Sequence, residues 1–280
     1  MRILHISDLH VGKRKTGINE ARQTEKMVRL IKRHWGDDDD KPLVLITGDV
    51  VDDGREAQFI EARHILEPLR RAGFQIVALP GNHDYGWNGA HAQEKRFKLF
   101  KKYLLGIETR VTHPDVPYAD ENVALITLNS MRAETGFWDG LLADGEIGND
   151  QLDELGELLT TLRTERPKSF KIVVALHHHP FLFPDDKLIK HSKEWLGHRL
   201  KDGADFMRLV SGRIDVLLFG HEHRAVDFSQ PLAGRVLTEE YEIPCILCSG
   251  RSTDQGLPAR LITIEGRGKP RVEPAPWSTP

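Results

Sequence analysis

Five short runs of this chain carry side chains of the types that bind metal ions. They are Asp8-Leu9-His10, Gly48-Asp49, Gly81-Asn82-His83-Asp84, His177-His178-His179-Pro180 and Gly220-His221-Glu222-His223. Carboxylate oxygen, amide oxygen and imidazole nitrogen together suit Mn, Fe, Co, Ni or Zn. Asp8 and His10 stand two apart, so in a continuing strand they share a face. His221 and His223 repeat that spacing behind a glycine and can reach two adjacent ions. Asp49 can bridge two ions with its two oxygens. Asn82 offers a neutral carbonyl oxygen, and His83 brings a titratable ring to the same space. Asp84 is expected to orient that ring and hold its protonated form. Two adjacent ions activate water and neutralise phosphate charge, so the pattern points to phosphate-ester hydrolysis.

Each run follows an apolar, often β-branched stretch, which reads as a strand delivering its cluster to a sheet edge. The strands are expected at Arg2–Ser7, Leu43–Thr47, Gln75–Leu79, Val123–Leu128, Lys171–Leu176 and Ile214–Phe219. Three more follow at Ala225–Phe228, Ile243–Cys248 and Arg260–Ile264. Apolar residues at helical spacing mark helices around Ala21–Trp35, Phe59–Leu69 and Leu152–Leu162, and a shorter one around Phe206–Val210. Asp52 and Asp53 are expected to cap the second helix and Asn149 or Asp150 the third, which leaves Asp49 free. The β-α-β-α-β opening predicts a mixed α/β fold with helices covering sheet faces. Neither a repeat nor a linker divides it. Residues 1–268 read as a single domain, and the Pro-rich tail 269–280 is expected to be poorly ordered.

Two features read as bland. Asp37–Asp40 sits between a helix and a strand, and four adjacent carboxylates cannot converge on one ion, so a solvated turn is expected. Cys245 and Cys248 are spaced C-x-x-C, but they fall on opposite faces of a strand and no second pair completes a zinc site. Buried free thiols fit them.

The chain has 280 residues and a formal net charge of −3. That length buries a sizeable core. The mildly acidic balance weighs against a polyanionic partner. No apolar signal stretch precedes Arg2, and no run approaches a membrane span. A cytoplasmic location and no membrane partner are therefore expected.

The ordered set D-x-H, G-D, G-N-H-D, H-H-H-P and G-H-x-H resembles the calcineurin-like metallophosphoesterases, and its motifs extend from residue 8 to residue 223. The resemblance implies a four-layered α-β-β-α sandwich of two mixed sheets with a dinuclear centre at the strand ends. One metal ion would take Asp8, His10, Asp49 and His223. The other would take Asp49, Asn82, His177 and His221. In similar enzymes the first histidine of the H-H-(H)-P run is the ligand, which favours His177, with His178 as its competitor. His178 and Tyr85 are then expected at the substrate. His83 stays outside the ligand shell and protonates the leaving group, with Asp84 beside it. The implied reaction is in-line attack of a metal-bridging hydroxide on a small phosphodiester, of the cyclic-nucleotide or glycerophosphodiester kind. Tyr85–Trp87, Gly136–Trp138 and Pro184–Arg199 are expected to wall the pocket. The metal identity and the oligomeric state stay open.

The opening Arg2–His10 also resembles DNA-repair exonucleases of the same superfamily, but the short stretch after His223 and the charge disfavour a nuclease. A phosphomonoesterase would use the same metals. A metal-free scaffold of this fold is disfavoured because all seven ligand positions carry competent side chains.

Overall fold

The computed structural model describes residues 1–15, 18–86, 94–106, 113–131, 144–183, 200–266 and 268–278. Strand β1 (Arg2–Ile6) leads into a small ribbon of β2 (Arg14–Lys15) and β3 (Ile18–Asn19), then α1 (Glu20–Trp35), β4 (Leu43–Thr47), α2 (Glu56–Arg71) and β5 (Ile76–Leu79). A single turn, α3 (Asn82–Tyr85), precedes α4 (Glu94–Phe100), which runs on as a π-helical turn at Lys101–Leu105. Next come β6 (Asp115–Ala119), β7 (Val123–Thr127), α5 (Asn149–Glu165), β8 (Lys171–Ala175), α6 (Gly203–Val210) and β9 (Val216–Phe219). The chain closes with β10 (Ala225–Asp227), α7 (Leu237–Glu240), β11 (Cys245–Ser249), β12 (Arg260–Thr263) and β13 (Arg271–Pro274).

One sheet has the order β13-β12-β1-β4-β5, the other β10-β11-β9-β8-β7-β6. Strands β1, β4 and β5 pair in parallel, as do β7, β8, β9 and β11. Antiparallel strands flank both parallel blocks, so both sheets are mixed. Between the sheets lie Leu45, Leu79 and Ile262 from the first and Leu125, Val173, Leu218 and Leu247 from the second. The opposite faces of the strands pack against helices: α1 and α2 on the first sheet, α5 and α6 on the second. That stacking makes the expected four-layered sandwich. It also explains why β4, β7 and β9 are buried on both faces and read as unbroken apolar runs.

Local chemistry fixes the helices. Asn19 accepts a hydrogen bond from the Arg22 amide at the start of α1, while Lys32, Arg33 and His34 sit at its negative end. Met27, Val28, Ile31 and Trp35 give that helix its apolar stripe. Helix α5 departs from expectation at its start. Gly148 occupies the N-cap, and the Asp202 carboxylate accepts from the Ile147 and Gly148 amides ahead of it. Cys245 faces the inter-sheet core and Cys248 the helical side, both buried, and burial pushes both thiols up to about 12. In the turn Asp37–Asp40, Asp38 and Asp40 pair with Arg2, so the carboxylates anchor the start of β1.

The Pro-rich tail is a correction. Arg271–Pro274 forms β13 against β12, with Val272 opposite Ile262. Ala275 is buried and its amide bonds the Ala259 carbonyl. Trp277 packs edge-on to Trp35 at 5.5 Å between ring centroids and donates from Nε1 to the Leu257 carbonyl. Apolar anchors spaced between the prolines held no periodic pattern to read. Replacing Trp277 with Ala should lower unfolding stability by roughly 2 kcal/mol in a denaturant titration. An unchanged midpoint would show the tail to be dispensable.

Candidate metal centre

The loops after β1 and β4 continue side by side past the ends of their strands. The amides of Asp8, His10 and Val11 donate to the carbonyls of Gly48, Asp49 and Val50. Asp8, His10 and Asp49 therefore share one corner. The second sheet is tied to that corner by side chains. Thr47 offers its carbonyl to the Ser7 hydroxyl and to His177 Nδ1, at 3.0 and 2.7 Å. The His221 amide donates to Asp8 Oδ2. Glycines make the approach possible: a Cβ at Gly81 would meet the backbone nitrogen of Asp49 at 2.5 Å and His177 Cε1 at 2.8 Å.

Two sets of donor atoms result. In the first, His10 Nε2 lies 3.1 Å from His223 Nε2, 4.0 Å from Asp8 Oδ1 and 3.8 Å from Asp49 Oδ2, and His223 Nε2 lies 3.4 Å from Asp8 Oδ1. In the second, Asn82 Oδ1 lies 3.0 Å from His177 Nε2 and 3.1 Å from His221 Nδ1. There His177 Nε2 is 3.2 Å from His221 Nδ1 and 3.4 Å from Asp49 Oδ2. Donors bonded to one ion at about 2.1 Å stand roughly 3.0–3.4 Å apart along the edges of its coordination polyhedron. The second set keeps that spacing; in the first, the two His223 contacts keep it while His10 stands wider, at 3.8 and 4.0 Å from the carboxylates, and Asp49 Oδ2 belongs to both sets. Asp8 Oδ1 is buried without a hydrogen-bond partner, as an oxygen reserved for a cation would be. The residues present fit two ions.

Orientation comes from the groups behind each donor. His177 spends Nδ1 on the Thr47 carbonyl, which leaves Nε2 for the centre. His10 turns Nδ1 toward Asp52 Oδ1 at 3.3 Å. Five candidate ligands also take the left-handed backbone region: Asp8, His10, Asp49, His221 and His223, with φ between 46° and 73°. Asp and His tolerate that region better than most residues, and strained backbone gathers where side chains must be aimed.

The electrostatics mark a cation well. Burial alone would push His177 down, yet Asp49 and Asp8 outweigh it and bring the ring up to about 9. His223 is raised against burial by the Asp8 carboxylate 3.4 Å away. Asp49 lies well below the usual carboxylate range despite full burial, through the charges of His177 and His83.

Several expectations change. Asp49 Oδ1 accepts the His83 amide, and Oδ2 is the oxygen that lies near both His10 and His177. Asp84 does not hold the His83 ring. Its carboxylate accepts from the amides of Val50, Val51 and Gly81, which pins the loop carrying Asp49 to the loop carrying Asn82. Burial and the Asp49 charge push Asp84 up to about 7 against those three donors. His83 instead uses Nδ1 on the Asp52 carbonyl at 2.7 Å, with the Asp52 carboxylate 3.7 Å away. Asp52 thus reaches both His10 and His83, and the Asp52 and Asp53 side chains cap nothing on α2, whose N-cap is Arg55. Tyr85 is a core residue, stacked on Phe97 at 5.2 Å with its hydroxyl accepting from Asn129.

Among the three histidines, His177 reaches the second donor set directly. His178 lies against the His221 ring at 4.4 Å, with Nδ1 at 2.7 Å from the Ser130 hydroxyl. His179 meets Glu222 at 3.1 Å. Trp87, Gly136–Trp138 and Pro184–Arg199 lie outside the described residues.

The description "calcineurin-like phosphoesterase" matches residues 1–225. The chain belongs to the calcineurin-like phosphoesterases. This is a family of metal-dependent phosphoesterases, in keeping with the donor sets above. Two relatives span most of the molecule. A 3',5'-cyclic adenosine monophosphate phosphodiesterase from Haemophilus influenzae is 24% identical over 81% of this chain and 71% of its own length. A probable cyclic nucleotide phosphodiesterase from Coxiella burnetii is 22% identical over 87% of this chain and 85% of its own. The calcineurin-like phosphoesterase YfkN from Bacillus subtilis shares the fold at a TM-score of 0.53 and 13% identity, over 98% of this chain and 90% of that one. A putative 5'-nucleotidase from Staphylococcus aureus gives 0.57 and 13%, and the present chain spans only 52% of its length.

This phosphoesterase should lose its metal when Gly81 becomes Ala, since the added methyl displaces Asp49 and His177 together. Elemental analysis of the purified variant checks it. Full occupancy in a variant of native melting behaviour would mean the approach of these loops is not what builds the centre.

Proposed function

We propose that this protein is a dinuclear-metal phosphodiesterase acting on a small phosphodiester, with cyclic nucleotides as the favoured class. The observation that carries the reading is the pair of four-donor sets sharing Asp49 Oδ2. Asp8, His10, Asp49 and His223 would hold one ion, and Asp49, Asn82, His177 and His221 the other. The mixed nitrogen and oxygen donors suit manganese, iron, zinc, cobalt or nickel. Two bound ions would supply an activated water and offset the charge that builds on the phosphate oxygens.

The remaining work falls to the chain. His83 keeps Nδ1 on the Asp52 carbonyl, so Nε2 is the nitrogen free to give a proton to the leaving oxygen. The Asp52 carbonyl fixes the plane of that ring. Asp84 holds the loop that carries it. His178, whose ring lies beside His221, would be the group to meet a phosphate oxygen. The names of the relatives from Haemophilus influenzae and Coxiella burnetii support a cyclic nucleotide as substrate. The family match over residues 1–225 supports one catalytic domain, and a cytoplasmic location suits such a substrate.

Assays with added manganese should show turnover of cyclic nucleotides and of bis(p-nitrophenyl) phosphate, and little of mononucleotides. A strong preference for monoesters would overturn the phosphodiesterase reading. Replacing His83 with Ala should slow turnover by about 10²–10⁴-fold while two metals stay bound. Loss of both metals in that variant would contradict its role as a proton donor outside the ligand shell.

A further inference from the structure

We propose that the outer face made by α1, α2 and α4 docks on an anionic phospholipid surface. The chain as a whole is slightly acidic, at −3, yet on α1 Arg22, Lys26, Arg29, Lys32 and Arg33 outnumber Glu20 and Glu25, while on α2 Arg63, Arg70 and Arg71 are balanced by Glu56, Glu61 and Glu67. On α1, Arg22, Lys26, Lys32 and Arg33 are exposed and make no ion pair with any described residue. Arg63 on α2 and Lys95 and Lys98 on α4 are exposed and unpaired in the same way. Arg22, Lys26 and Arg33 recur at four and seven residues, so they line one face of the helix over roughly 16 Å. Helix α2 packs between α1 and α4, so these cations lie on one continuous layer. The opposite outer layer has the reverse sign: Asp150, Asp153, Glu154 and Glu157 of α5 are all exposed. Such a charge distribution turns the basic face toward a polyanionic surface and the acidic face away from it.

Several features favour a bilayer over a nucleic acid. The layer is built of helices lying side by side on a sheet, which suits a planar partner. None of the Trp, Phe or Tyr residues described on α1, α2 or α4 is exposed, so there is no ring on which a base could stack. The exposed apolar residue here is aliphatic instead: Ile60 of α2 is 37% exposed, one helical turn from both Arg63 and Glu56. Basic residues around a shallow apolar anchor are the composition of a peripheral membrane face. No described helix is long and apolar enough to cross a membrane, so the attachment would be electrostatic and reversible. Helices α1 and α2 begin at the edge that carries the donor sets, and docking on their outer face leaves that edge open at the side.

Co-sedimentation of the full-length protein with vesicles tests this. Vesicles of about three parts phosphatidylcholine to one of phosphatidylglycerol should bind it at low salt, and pure phosphatidylcholine should not. Raising salt to roughly 1 M should release it. The double variant K26E/R33E should bind at least about tenfold more weakly, while its hydrolysis of a soluble diester and its melting temperature stay as in the parent. The α5 variant D153K/E157K should retain binding. Absence of binding to the anionic vesicles, or equal binding to neutral ones, would overturn the proposal. Tighter binding of poly(U) than of vesicles at equal phosphate would overturn it in favour of a nucleic-acid partner.

Discussion

Two carboxylates, Asp8 and Asp49, are buried at the rim of an apolar sandwich, and the rest of the site is arranged around them. Burying a charge without a partner costs far more than any single contact here could return. The fold meets that cost by halves. One oxygen of each carboxylate is bonded to a backbone amide, Asp8 Oδ2 to His221 and Asp49 Oδ1 to His83. The other oxygen of each points into a ring of imidazoles whose free nitrogens also face inward. A cation is the group that satisfies both at once, and Asp49 Oδ2 sits where two cations would meet.

Holding that arrangement requires both sheets. Parallel strands bring β1, β4 and β5 to one edge and β8 and β9 to the facing edge. The inter-sheet core of Leu45, Val173 and Leu218 sets how far apart those edges stand. Three contacts then lock the two edges together: His177 to Thr47, His221 to Asp8, and the glycine surfaces of Gly48 and Gly81 against His177. The left-handed backbone at five of the candidate ligands costs on the order of 1 kcal/mol or more apiece. That strain persists because the surrounding strands are among the most buried parts of the chain. Aim has been gained at the expense of local stability, and the sandwich core offsets it.

Much of this was legible in the sequence because each donor run sits at the end of an apolar strand. Strand ends are visible, and metal ligands belong to few residue types. The strands β1, β4, β5, β7, β8 and β9 and the helices α1, α2 and α5 follow from periodicity alone. What escaped was relational. Nothing in Gly-Asp-Val-Val-Asp-Asp shows that the second aspartate, Asp52, folds back to reach His10 and His83. Equally, Asp84 looked like a partner for its neighbour because adjacency in sequence is visible and three distant amides are not. That His177 turns its Nδ1 onto the Thr47 carbonyl, supplied by the other sheet, is not visible in three consecutive histidines. Strand β13 was missed because its four residues carry one strongly apolar side chain and follow a proline.

The functional reading turns on whether Asp49 is shared by two ions or merely buried beside one. Anomalous diffraction from crystals of the manganese-loaded protein decides it. Two peaks are predicted, about 3.5–4 Å apart, with Asp49 Oδ2 between them and Asn82 and His223 on opposite sides. A single peak with Asp49 as a terminal ligand, or two peaks that leave Asp49 untouched, would contradict the account.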